Sequence, residues 1–286
     1  MTFKNVGVIG AGNIGIGAAT DLVLHGINCV LVDISHDQLE KANEEILKNI
    51  RFAPLVLKNS PKVSKEEVLE RLKLSINIKD LSACDFVIEN VTEDWEIKEN
   101  VYKQLDEILN PEVCIGCNTS CISITKVGSV TNRPDKIVGI HLMNPVHMKP
   151  TVEVIKGFHT SDDTLEKLHV LFKQLNKNSI VVNDMPGFVS NRISHLFMNE
   201  AVFVLQDQVA SAKDIDDIFK KCFGHIMGPL ETADLIGLDT VMHSLDVLYE
   251  SYHDPKFRCC PLLRKMVYAG QLGRKTGKGF YEYPKV

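Results

Sequence analysis

The residues most able to do chemistry in this chain are a histidine and a glutamate twelve positions apart. In "GIHLMNPVHMKPTVEVI" (139–155) an apolar run ends on His141, and Glu153 then sits between Val152 and Val154. Imidazole titrates near neutral pH, and a carboxylate beside it can fix its tautomer and stabilise imidazolium. Such a pair suits removal of a proton from a secondary hydroxyl as hydride leaves the carbon, a contribution typically worth ~10²–10⁴ in rate. The runs around both residues read as buried strands, so the pair makes chemical sense only where strands end in a cleft.

A hydride acceptor is suggested at the other end of the chain. "VGVIGAGNIG" (6–15) holds Gly10, Gly12 and Gly15 in G-x-G-x-x-G spacing, after a strand pattern and before a helix pattern. Gly10 permits the tight turn, Gly12 lets a pyrophosphate approach the backbone, and Gly15 lets helix pack close to sheet. The phosphates would meet exposed amides at the helix N-terminus, Asn13 and Ile14 among them. Asp33 ends the next strand, placed to accept from ribose hydroxyls. "DISHDQ" (33–38) supplies no Arg or Lys for a 2′-phosphate, so NAD is favoured over NADP.

In open parallel sheets, ligands bind beyond the C-terminal ends of the strands. Several polar residues fall at such ends: Asn118 and Ser120 in "GCNTS", His141 and Asn144 in "GIHLMN", Glu93 and Lys98 after "VIENV". Each has a plainer reading when taken singly. Ser120 could simply begin a helix at 122, and Glu153 could face solvent on an edge strand. Their arrival together beside a dinucleotide site favours the functional reading.

The elements that must position these residues alternate strand and helix. Strand patterns fall at 5–10, 28–33, 85–91, 113–118, 136–142, 152–157 and 178–184, with helix patterns at 13–26, 37–50, 64–72 and 161–175. Ser64 and Glu67 have capping-box spacing. This alternation predicts an α/β, Rossmann-type, doubly wound and mostly parallel sheet. After "DMPGF" (184–188) the pattern becomes helical, at 188–207, 212–224, 239–252 and 260–273. The expected division is therefore a nucleotide-binding domain over 1–185 and a smaller all-α domain over 186–286.

Composition excludes several classes. The 286 residues are 44% hydrophobic and 24% charged, with net charge −5. That balance gives no electrostatic footprint for nucleic acid or an anionic membrane surface, and no apolar run has transmembrane length. The N-terminus enters a strand at once, without a signal-like segment. The eight cysteines then read as reduced thiols in a cytoplasmic protein. "CIGC" (114–117) lacks a second pair for zinc and lies in a strand, where residues three apart face opposite sides, so no metal site is expected.

These blocks, in order, resemble a known family. "GVIGAGNIG", "CNTSCISIT", "GIHLMNPV", "TVEVIKG", "DMPGFVSNRI", "MGPLETADLIGLDT" and "LGRKTGKGFYEY" are similar to short-chain L-3-hydroxyacyl-CoA dehydrogenases, including 3-hydroxybutyryl-CoA dehydrogenases, over almost the whole chain. The resemblance implies an NAD-dependent interconversion of 3-hydroxyacyl and 3-oxoacyl thioesters in fatty-acid metabolism. It implies a catalytic His141 partnered by Glu153, with Ser120 and Asn191 hydrogen-bonded to the reacting oxygens. It implies NAD contacts from Asp33, Glu93, Lys98, Ser120, Asn144 and Lys275, a site in the cleft between domains, and a homodimer formed through the helical domain.

The chain departs from the family pattern H-F-F-N-P-V-P-x-M-K-x-V-E. Leu142 and Met143 replace aromatics, His147 replaces a proline, and the lysine moves one position earlier to Lys149. In 47–68, where the family meets CoA, Lys58 and Lys62 are candidates to meet a phosphate, against the plainer reading as solvated lysines. A shifted Lys149 could pair with an extra carboxylate, so the alternative substrate is a hydroxymalonyl group on an acyl carrier protein. A more distant alternative is an NAD-binding protein without catalysis.

Overall fold

A computed structural model describes residues 2–56 and 61–284; Lys58 lies outside the described residues. The chain divides into two compact units, Met1–Met185 and Pro186–Val286.

The first unit is an eight-stranded sheet in the order β3-β2-β1-β4-β5-β6-β7-β8. The strands are β1 (Asn5–Ile9), β2 (Asn28–Val32), β3 (Leu72–Ser75), β4 (Phe86–Glu89), β5 (Cys114–Asn118), β6 (Ile137–His141), β7 (Thr151–Lys156) and β8 (Asn178–Asn183). Every neighbouring pair is parallel except β6 with β7. Central strands of a parallel sheet are covered on both faces and read as continuous apolar runs. Here Val6, Val8, Phe86, Val87, Ile115, Val138 and Ile140 are all fully buried. The chain reverses its winding between β1 and β4, which opens a crevice at their C-terminal ends.

Helix α1 (Asn13–Leu24) is N-capped by the backbone of Gly12, with no side-chain cap and no acid in its first turn. Its opening amides are therefore left for a ligand. Helix α2 (His36–Val56) runs past the expected end at 50. Leu39, Ala42, Ile46, Ile50 and Ala53 form one continuous buried stripe. Pro54 lies in the last turn and removes the amide that would otherwise bond to the Ile50 carbonyl. Helix α3 (Lys65–Arg71) carries the capping box: Glu67 N donates to Ser64 Oγ at 3.2 Å, and Ser64 N donates to Glu67 Oε2 at 2.9 Å. Strand β3 follows without a turn residue to announce it, so sequence patterning passed over it. Helices α4 (Trp95–Ile108), α5 (Ile124–Gly128) and α6 (Asp162–Gln174) complete the unit.

The second unit holds α7 (Ser190–Gln206), α8 (Ala212–Cys222), α9 (Pro229–Ile236), α10 (Leu238–Tyr252) and α11 (Pro261–Tyr268). Met198, Val202, Ile215, Leu230, Val241, Leu245 and Leu263 form its core. Helix α9 was not expected; its eight residues are too few for a clear periodicity. The C-terminal segment is held by buried Asp234, which accepts from Phe280 N, Tyr281 N and Tyr283 Oη, each at 3.0 Å.

The glycine loop is sterically fixed. Gly10 has φ +91°, and a Cβ on Gly15 would lie 1.8 Å from the Gly10 carbonyl oxygen. Gly15→Ala must therefore open the turn. It is expected to cost about 1–3 kcal/mol of stability and to weaken dinucleotide binding, checked by a thermal melt and an NADH titration.

Candidate active site

His141 is the last residue of β6 and Glu153 the third of β7. They are direct partners in the antiparallel register. Opposed residues of an antiparallel pair share a face, with Cβ atoms about 5 Å apart. A twelve-residue separation in sequence thus becomes contact: His141 Nδ1 lies 2.9 Å from Glu153 Oε2. Both side chains are largely shielded, at 8% and 10% exposure. An ionised carboxylate only accepts, so Nδ1 carries the proton in this bond and Nε2 is left as the basic nitrogen. Nε2 stands 3.2 Å from Ser120 Oγ.

Ser120 is placed by Glu93. One Glu93 oxygen accepts from Thr119 Oγ1, Ser120 N at 2.9 Å and Cys121 N at 3.1 Å. Burial alone would raise the Glu93 pKa; the Lys98 charge and these hydrogen bonds outweigh it and hold the carboxyl below its usual range. The base of the same loop is fixed by Asp184, whose Oδ2 accepts from Ser123 Oγ, Thr125 N and Thr125 Oγ1 at 2.7–2.8 Å.

Lys98 is fully buried. Its ammonium lies 2.8 and 2.9 Å from the two oxygens of Glu89, also fully buried, and 2.9 Å from the Asn118 carbonyl. Asn118 Oδ1 in turn accepts from Leu142 N at 3.1 Å. The ends of β4, β5 and β6 are stitched together in this way. The Cys117 thiol, 3.4 Å from Glu89 Oε2, is pushed far above its ordinary pKa by burial. Glu89 and Asp184 were missed as site residues. Glu89 had a signal, an acid closing an apolar strand; Asp184 had none beyond its place after the last strand.

A cavity of about 1020 Å³ opens at the crevice, lined among others by Gly10, Gly12, Asp33, Ile34, Asn90 and Ile97. Its walls fit a dinucleotide. A Cβ on Gly12 would meet nothing within 4 Å, so the backbone there is open to a ligand. Asp33 holds Ala11 N at 2.8 Å and Ser35 N at 3.0 Å, one on each oxygen, which fixes the carboxylate and leaves further lone pairs to accept hydroxyls. Asn13 and Asn144 line a second cavity of about 440 Å³ with Glu45, Asn49, His147 and Met148. Ile14 packs half-buried against the core of the first unit, and the other two predicted residues lie in the helical unit. Asn191 is in the first turn of α7, its carbonyl 2.9 Å from His195 Nδ1. Lys275 pairs with Asp239 at 2.6 Å.

Comparison with known proteins matches the model described as 3-hydroxyacyl-CoA dehydrogenase, NAD binding domain, over residues 5–185, and that described as 3-hydroxyacyl-CoA dehydrogenase, C-terminal domain, over 187–283. The chain is 42% identical to a 3-hydroxybutyryl-CoA dehydrogenase of Bradyrhizobium diazoefficiens, covering 98% of this chain and 95% of that one. It is 42% identical to one of Clostridioides difficile, over 97% and 99%. The crystal structure of (S)-3-hydroxybutyryl-CoA dehydrogenase PaaH1 from Ralstonia eutropha superposes with TM-score 0.93 at 42% identity, covering 99% and 100%.

The Asp33 geometry generates a cofactor test. Asp33→Ala is expected to lower the NAD-over-NADP preference about 10-fold, the worth of roughly one hydrogen bond to a charged group, read as the ratio of kcat/KM values.

Proposed function

The chain belongs to the 3-hydroxyacyl-CoA dehydrogenase family, and from that premise we propose how its residues carry the reaction. The protein is an NAD-dependent oxidoreductase that interconverts short-chain 3-hydroxyacyl-CoA and 3-oxoacyl-CoA. The observation that carries the residue assignment is the His141–Glu153 bond at 2.9 Å, at the sheet edge where the nucleotide crevice opens.

Bound at the glycine loop, NAD supplies the hydride acceptor and NADH the donor. In oxidation His141 Nε2 takes the hydroxyl proton, and in reduction imidazolium returns it to the forming alkoxide. Glu153 stabilises that imidazolium and holds the ring in the required tautomer. Ser120 Oγ, next to Nε2, donates to the reacting oxygen, and Asn191 supplies a second donor. Asp33, Asn13, Ile14 and the glycines hold the nucleotide, with Asn144 and Lys275 as further contacts. Lys98 acts from beneath, fixing Asn118 and the charge of Glu93 rather than reaching the cofactor. A base fixed to a buried carboxylate is needed for turnover and not for binding, which favours an enzyme over a nucleotide-binding protein without catalysis.

The acyl carrier is read as CoA, and the acyl group as 3-hydroxybutyryl. A cavity of about 610 Å³ between α2 and α3 combines Lys48, Arg51, Lys62 and Lys65 with apolar Phe52 and Val68, a lining suited to phosphates on an adenosine group. Exposed Ile193, Val209, Phe223, Ile226 and Tyr268 on the helical unit support its role as a homodimer surface. Among the described residues no helix is long and apolar enough to cross a membrane. The free cysteines suit a reducing cytoplasm.

His141→Ala is expected to lower turnover of acetoacetyl-CoA with NADH by about 10²–10⁴-fold and to leave NADH binding nearly intact. Near-normal turnover would remove the assignment, and saturable NADH binding by a wild-type protein that shows no turnover would favour the non-catalytic alternative. Lys62→Glu is expected to raise KM for acetoacetyl-CoA about 5-fold, the scale of one exposed ion contact, with no change for the acetoacetyl thioester of N-acetylcysteamine. Equal effects on both thioesters would place the phosphates elsewhere.

A further inference from the structure

We propose that Lys177 is a positioning residue for this reaction, clamping the turn between His141 and Glu153 onto the cofactor helix α1. The inference rests on the dehydrogenase reading and adds to it a residue outside the strand-end set. Lys177 immediately precedes β8 and is 6% exposed. Its ammonium lies 2.8 Å from the Val146 carbonyl, 2.6 Å from the Lys149 carbonyl and 3.0 Å from Asp21 Oδ2. Two ammonium hydrogens go to the carbonyls, and the Asp21 carboxylate faces the charge as an ion-pair partner.

Asp21 is the reason to read this as a device. It sits in the apolar helix segment "GIGAATDLVL", only 1% exposed. An apolar residue there would cost less to bury. Its second oxygen faces His25 Nδ1 at 3.3 Å. Burial alone would lower the His25 pKa, but its bonds to Asp21 outweigh this and raise it. His147 lies on the clamped turn; burial depresses its pKa and keeps it neutral near pH 7, so it adds no competing charge.

The turn is also pressed against the helix. A Cβ on Gly17 would come within 2.8 Å of Val146 Cβ. The segment joining His141 to Glu153 is thus held at its ends by the β6–β7 ladder and at its middle by Lys177. Asn144 lies within the held span and lines the same cavity as Asn13 at the start of α1. The clamp therefore sets the loop that would meet the nicotinamide end against the helix that would meet the pyrophosphate.

The test compares Lys177→Met with the double variant Asp21→Asn/Lys177→Met, assayed well below their melting temperatures with acetoacetyl-CoA and NADH. Lys177→Met leaves a buried carboxylate without its main partner and is expected to melt lower. The double variant removes both charges and should recover much of that loss. In both, kcat should fall between about 10- and 100-fold, the cost of a displacement near 1 Å, with KM for NADH raised and KM for acetoacetyl-CoA little changed. Hydrogen exchange at amides 146–149 should quicken in both. A purely structural lysine would lower the melting temperature alone. Wild-type kcat in the double variant, or unchanged exchange in the turn, overturns the proposal. Should Lys177→Met fail to fold, the double variant decides by itself. A wild-type protein with no activity on acetoacetyl-CoA would instead overturn the functional reading, and the exchange measurement would still decide the clamp.

Discussion

The antiparallel pairing of β6 with β7 is the constraint on which the site depends. Six strands run in one direction up to β6, and their C-terminal ends share one edge of the sheet. A parallel β7 would bring its own C-terminal end there, with Glu153 left in mid-sheet away from His141. Reversal places the start of β7 opposite the end of β6, so the carboxylate arrives directly across from the imidazole. Register matters as much as direction, because a slip of one residue would turn Glu153 to the other face. Lys156 and Thr151 at the ends of β7 tolerate solvent, whereas Val152, Val154 and Ile155 are buried and pin the alignment.

Beneath that pair the protein buries charge in places where apolar residues would fold at least as stably. Glu89 and Lys98 are wholly buried, and Asp21 and Lys177 nearly so. Their value lies in direction. Leucine at position 98 could fill the volume, but it could not donate to the Asn118 carbonyl while holding Glu89. Glu89 also accepts from Val91 N at 2.7 Å, where the chain leaves β4. Glu89, Lys98 and Lys177 each fix backbone groups where the chain leaves a strand or turns, beyond the reach of the regular ladder. Asp184 does the same for the start of α5 with three donors on one oxygen. The carbonyls and amides of the site loops are thus tied to charged side chains rather than left to water.

This explains what the sequence disclosed and what it withheld. The glycine loop was legible because its motif is local: the positive φ of Gly10 and the approach of Gly15 to the Gly10 carbonyl fall within six residues, although a Cβ on Gly10 would also strike Asn90 after β4. The His141–Glu153 pairing was legible as chemistry, since an acid in an apolar strand needs a reason, although the antiparallel turn that joins them was not. The roles of Lys98 and Glu93 were harder. Sequence placed both near the nucleotide, but whether a lysine touches a ligand or holds a strand end is decided by Glu89 and Asn118, which come from β4 and β5. Lys177 was invisible for the same reason, since its three partners lie on α1 and on one turn. Strand β3 and helix α9 were missed because elements of four and eight residues carry too little periodicity, even where Gly228, Pro229 and Gly237 mark the ends of α9.

The departures at 142–150 can be judged by where their side chains go. Leu142 is nearly buried and joins the main core, so replacing an aromatic there alters packing beside His141 without altering its proton chemistry. Val146 is buried against α1 and has no freedom to vary. Met143 and Met148 are exposed, and Met148 lines the cavity shared by Asn13 and Asn144. A thioether on a flexible stem adapts to varied apolar shapes. On the proposed reading, Lys177 holds the backbone of this turn and β6–β7 holds its ends. The exposed side chains of Met143 and Met148 can therefore differ without disturbing the base, because they are not the groups that fix the main chain.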